Sequence, residues 1–185
     1  MILGKYTTVQ AIRNILVSEM SYIMAPNRFL IYNQEYQFPN DPNAWVIIKH
    51  SLSKVYANNN FTYVNDIGNY VEEQDLNTQD TIIITIMSKN LQALQYKEGI
   101  PMALRSVFSQ QQQEKYAFKI ATLMPIQDLS EVEGGSMYYR FDVTVPVLTC
   151  YKLIKGQNYF DEFETYVDVN DGQPDLTATF NPAVL

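Results

Sequence analysis

The sequence predicts an α+β fold: a mostly antiparallel β-sheet with two main helices packed on one face, followed by an extended C-terminal arm. Three observations carry that prediction. Tyr138 to Lys152 alternates over its whole length, with Tyr139, Phe141, Val143, Val145 and Val147 on one face and Tyr138, Arg140, Asp142, Thr144 and Pro146 on the other. One buried and one exposed face is the mark of antiparallel sheet. Two segments, one near the start and one after Asn90, carry helical spacing instead. No helix separates most of the strands, so a doubly wound parallel sheet does not fit.

Each element follows from local spacing. From Thr7 to Met24, Val9, Ile12, Leu16 and Ile23 lie near helical intervals, and Ile15 and Met20 widen the stripe. Thr7 or Thr8 can cap this helix, and Pro26 ends it. Arg28 to Tyr32 reads as a short strand. Residues 33–44 form a loop, because Phe38-Pro39-Asn40-Asp41-Pro42-Asn43 joins two prolines to turn-forming Asn and Asp. Trp45 to Ser51 is a strand apolar on both faces, which suits a central position.

Asn58-Asn59-Asn60 is a turn signal, and residues 57–75 form either an extended hairpin or a long loop insertion. Thr81 to Ser88 is the clearest strand of the first half, with Ile82, Ile84 and Ile86 on one face. After Asn90, Ala93, Tyr96, Ile100, Ala103, Leu104 and Val107 fall near one helical stripe. Gly99 and Pro101 interrupt it, which predicts a kink or two short helices. Gln110 to Gln113 reads as a solvated linker.

Tyr116 to Leu123 is a further strand, and Pro125 to Ser136 a connection that turns at Gly134-Gly135. Pro146 cannot donate to a ladder, so it marks an edge or a bulge. Tyr159 to Val169 reads as one more strand. Past Asn170 no long regular element is expected, only an extended tail. The domain organisation is therefore one α+β domain over residues 1–155 and an acidic arm over 156–185.

Composition narrows the function classes. The 185 residues carry a net charge of −7 and show no cluster of Lys and Arg. Recognition of nucleic acid needs such a cluster to neutralise phosphates, so sequence-specific DNA or RNA binding is not expected. The single cysteine, Cys150, rules out a disulfide framework within one chain and fits a reducing cytoplasm. It lies in an apolar run and reads as a small core residue. The N-terminus does not read as a signal peptide, and no apolar window is long enough for a membrane span. Fourteen Tyr and nine Phe suit either strands or surfaces buried on assembly.

Enzymatic readings run short of residues. His50, the one histidine, follows Trp45-Val46-Ile47-Ile48-Lys49 on a strand, and no G-x-S-x-G elbow accompanies it. There is no phosphate-binding glycine loop. A zinc site cannot be built from one Cys and one His. Asp168-x-Asn170-Asp171-Gly172 resembles a calcium loop only in part, since its Gly falls one position early and Thr179 stands where the loop needs Glu. The carboxylate pairs Glu72/Glu73 and Glu162/Glu164 lie in polar stretches and read as solvated surface. No catalytic residue, cofactor or metal is expected.

Lys155 is the last basic residue. Six carboxylates follow it (Asp161, Glu162, Glu164, Asp168, Asp171 and Asp175), so nearly all the net charge lies in the arm. A solubilising tail explains the charge. It does not explain Leu176, Phe180, Val184 and Leu185, which suit docking on a neighbouring subunit.

The order and spacing of Thr7–Met20, Pro42–Ser51, Gln79–Ser88 with Leu91–Ser109, and Tyr138–Leu153 resemble the tail (neck) terminator proteins of long-tailed bacteriophages. Residues 57–75 and the arm depart from the family's minimal pattern. The resemblance implies a structural virion protein of the tail or neck, assembled in the host cytoplasm. Its partners would be copies of itself in a ring, commonly a hexamer, together with the tail tube and the head connector or stopper. DNA would pass through the ring without being recognised, and no membrane is involved. The interface residues expected for such a role are Phe61, Tyr63, Tyr70, Phe160, Phe163, Leu176, Phe180 and Leu185. Alternatives are another neck or head–tail connector protein, and a protein- or carbohydrate-binding module that uses aromatic loops.

Overall fold

A computed structural model describes residues 5–32, 41–64, 70–133, 136–156, 163–165 and 178–180. The chain divides into two compact units. One comprises Met1–Asn59 with Gln74–Leu153, the other Asn60–Glu73 with Ile154–Leu185. The fold is α+β, built on one large, mostly antiparallel sheet.

The first helix, α1 (Lys5–Met20), is the one that the apolar stripe predicts. Val9, Ile12, Ile15, Leu16 and Met20 are all buried in the core. The helix stops at Met20, earlier than Met24, and a single 3-10 turn follows at Pro26–Arg28. Pro26 begins that turn, where a missing N–H costs nothing. Strand β1 (Phe29–Ile31) then pairs in parallel with β2 (Trp45–Val64), Leu30 opposite Ile47. Arg13 secures the join by donating from Nε to the Phe29 carbonyl at 2.8 Å.

Strand β2 is much longer than the apolar run Trp45–Ser51 suggests. It passes straight through Asn58-Asn59-Asn60, so the predicted turn there is wrong. Pairing with β3 (Tyr70–Ser88) overrides the local preference of three asparagines. Between the two readings of 57–75, the strand bounds favour the hairpin. Only five residues join β2 to β3, too few for a parallel crossover.

Three short helices follow: α2 (Gln92–Tyr96), α3 (Gly99–Leu104) and α4 (Val107–Lys115). Pro101 lies in the first turn of α3, where its ring is tolerated. Gly99 permits a close approach, because a Cβ there would sit 3.2 Å from Cε of Met20. The expected linker Gln110–Gln113 is instead helical. Ser106 caps α4 by accepting the Ser109 N–H at 3.0 Å, and Gln is a good helix former.

The long alternating segment is β7 (Ser136–Gly156), the strand that organises the sheet. Asp75 meets Lys152, Thr85 meets Asp142 and Lys89 stacks on Tyr138, so β3 and β7 run antiparallel. On the other flank of β7 lie β4 (Phe118–Ile120), β5 (Ile126–Asp128) and β6 (Glu131–Glu133), all antiparallel to it. The segment expected to be a plain connection, Pro125–Ser136, therefore carries two short strands. Gly134 and Gly135 lie outside the described residues.

Pro146 stands in the interior of β7. Its carbonyl accepts the Ala121 N–H at 2.9 Å, just past the end of β4. The amide and carbonyl of one residue point to the same flank of a strand. The missing N–H thus faces the gap between β4 and β5, and the ladder to β3 loses nothing.

One core unites the helices with one face of the sheet. Ile82, Ile84 and Ile86 of β3 and Phe141, Val143, Val145 and Val147 of β7 meet α1 and α3 there. Ile47, Ile83 and Pro146 lie on the opposite face and are half-buried. In the second unit, β8 (Phe163–Thr165) pairs antiparallel with β9 (Ala178–Phe180). The tail expected after Asn170 thus contains a paired strand. The rest of Tyr159–Val169 lies outside the described residues. No described helix is long and apolar enough to cross a membrane.

Candidate assembly surface

Three of the expected interface residues lie on the β2–β3 hairpin, in the second unit. Phe61 is 53%, Tyr63 42% and Tyr70 38% exposed. β2 and β3 hold these rings through backbone pairing rather than through burial, which is how large apolar side chains come to face water. The Tyr63 hydroxyl reaches Glu73 at 3.5 Å. Phe163 and Phe180 are directly opposite each other in the β8–β9 register. Phe160, Leu176 and Leu185 lie outside the described residues.

Within the first unit Leu52, Val55 and Tyr56 of β2 are exposed as well. Sequence reasoning missed these three. Their own spacing carries no amphipathic signal, and the neighbouring asparagines suggested that the strand had ended. Cys150 is exposed, not a core residue. It lines an open cleft of about 260 Å³ with Tyr56, Phe118, Lys119, Leu148 and Thr149.

A polar cluster lies where β2 and β3 leave the apolar core. Asp80 is 1% exposed and accepts a hydrogen bond from Ser53. Nε2 of His50 lies 3.2 Å from Ser53 Oγ and 3.5 Å from Asp80 Oδ1. Ser, His and Asp are thus together, but not in a relay. In a hydrolytic triad the carboxylate and the hydroxyl engage opposite ring nitrogens. Here both face the same nitrogen, so the cluster satisfies a buried carboxylate. Burial, and then the nearby Asp80 charge, push the Tyr151 hydroxyl above its usual pKa. Asp80 gave no sequence signal, because its partners lie 27 and 30 positions away on the paired strand.

A second ionic contact braces the start of β2. Arg28 meets both carboxylate oxygens of Asp41 at 2.9 Å and stacks over Trp45 at 4.5 Å. The Arg28 guanidinium holds the Asp41 carboxyl below its ordinary pKa. Among the described residues, no group of three or more His, Cys, Asp or Glu side chains is placed to hold a metal ion.

Compared with known proteins, the chain matches no protein-family model and no curated protein sequence.

Proposed function

We propose that this chain is a structural subunit that forms a homo-oligomeric ring, caps a phage tail tube and joins it to the head connector. The observation that carries the reading is the exposure of large apolar side chains on β2 and β3: Leu52, Val55 and Tyr56 within the first unit, and, separately, Phe61, Tyr63 and Tyr70 within the second. Aromatic residues in such density are costly on a free surface and are enriched at protein interfaces.

Two further features support it. The element order of a terminator-like subunit recurs here: a first helix, a strand after a Pro-containing loop, a strand running into helices, and a long alternating strand. The charge balance of the first 155 residues is nearly neutral, at 13 basic against 14 acidic, so a ring of these subunits would let DNA pass without gripping it. In this reading the protein resides in the tail or neck of the virion.

Incubating the purified chain with assembled tail tubes and viewing the mixture by electron microscopy tests the proposal. Density capping one end of each tube is the expected result. Bare tube ends at saturating protein would count against it.

A further inference from the structure

We infer that neighbouring copies are held together by an acidic segment, residues 166–177 of one copy, seated in the cleft beside Cys150 of the next. The inference rests on the ring reading and names a contact within it.

The cleft lies within the first unit. Four strands build it: Tyr56 comes from β2, Asn77 from β3, Leu148 and Cys150 from β7, and Lys119 from β4. Lys119 stands opposite Leu148 in the β4–β7 register, so a cation and an apolar side chain share one face of the sheet. That face is turned away from the helices, because Leu148 alternates with Val147, which is buried in the core. Tyr56, Leu148 and Cys150 are all exposed.

The lining is apolar and basic. No carboxylate contributes to it. Lys119 is exposed, and so is Lys54, which shares a face of β2 with Tyr56. Neither lysine meets a carboxylate among the described residues. Such a surface favours an anionic segment that also carries apolar side chains.

The chain itself supplies that segment. Residues 166–177 join β8 to β9 and hold Asp168, Asp171 and Asp175 with no Lys or Arg. Val167, Val169 and Leu176 stand among them. Thr165 pairs with Ala178, which ties the two ends of the segment together and lowers the entropy lost when it docks. Its carboxylates match Lys119 and Lys54, and its apolar side chains match Tyr56 and Leu148. The cleft walls are exposed in the single chain, so the segment that covers them comes from a second copy. A segment of one copy meeting the cleft of the next is a heterologous contact, which repeats around a ring.

Cys150, the one cysteine of the chain, reports whether the cleft is filled. Raising the concentration of the full chain through its association range should slow the reaction of Cys150 with an aromatic disulfide reagent by about tenfold or more. Salt at about 0.5 M should restore the fast rate. In the triple variant Asp168→Asn, Asp171→Asn, Asp175→Asn the thiol should react fast at every concentration. A second chain carrying Lys119→Glu and Cys150→Ser keeps the segment but has no thiol and no cation in its cleft. Adding it to the triple variant should restore protection. Both variants are first checked for an unchanged thermal melt, and the salt arm uses the wild-type chain alone. Protection that does not depend on concentration would overturn the inference, since each copy would then fill its own cleft. Protection that survives the triple substitution would overturn the segment as occupant. Full reactivity in a sample that light scattering shows to be oligomeric would overturn the docking and leave the ring intact. Full reactivity in a sample that stays monomeric at high concentration would overturn both.

Discussion

Ser53 donates its hydroxyl to the carboxylate of Asp80, tying β2 to β3 where the apolar core ends. The bond belongs to the fold of one copy. Ser53→Ala should lower stability by about 1–3 kcal/mol, because a buried carboxylate loses a donor. Oligomeric state should not change. Urea melts read by circular dichroism, with light scattering on the same sample, check both statements.

The hairpin aromatics should behave in the opposite way. Phe61 and Tyr63 are exposed in the single copy, so replacing both with Ser should move stability by no more than about 0.5 kcal/mol. If they are buried on assembly, the double variant should weaken association by at least about tenfold. Sedimentation across a concentration series separates the two effects. An unchanged association constant would remove these rings from the interface.

Much of the fold is legible in the sequence where one face of an element is buried. The stripe of α1 and the alternation of β7 are both read correctly from spacing, because Ile12, Leu16, Val143 and Val145 must all reach one core. Legibility fails where pairing alone holds the chain. Asn58-Asn59-Asn60 looks like a turn, yet β3 holds it in a strand. Gln110–Gln113 looks like a linker because nothing apolar marks a helix there. Of the candidate site, Phe61, Tyr63 and Tyr70 are apparent as aromatics in a polar neighbourhood. The exposure of Leu52 and Val55 depends on which strands lie beside β2, and local spacing carries no record of that.

Gln113 links α4 to β4. Its Oε1 accepts the Ile120 N–H at 2.9 Å, and its Nε2 donates to Ser109 Oγ at 3.1 Å. Gln113→Ala leaves a strand amide without its acceptor and should cost about 1–3 kcal/mol. Gln110→Ala, on the exposed side of the same helix, should cost nothing measurable. Thermal melts of the two variants side by side give the comparison.

Ala117 closes α4 with φ of 50°, a conformation that suits glycine. Ala117→Gly relieves that strain and should stabilise the protein by about 1 kcal/mol. A rise in melting temperature is expected; a fall would mean that the methyl group packs better than its backbone conformation suggests.

The pH response should report Arg28 and Asp41. The hydrogen bonds from Arg28 lower the Asp41 pKa in the folded protein below its ordinary 3.8. A depressed carboxylate stabilises the fold above its unfolded pKa, and that contribution disappears as pH falls through the folded value. Wild type should therefore lose more stability on acidification below about pH 4 than Asp41→Asn does. Melting temperatures of both proteins through that range show whether the slopes differ.

The ring-forming role is tested most directly by electron microscopy of particles assembled without this protein. Overlong tubes, or tails that fail to join heads, are the predicted result. Normal virions with joined heads and tails of regular length would contradict it.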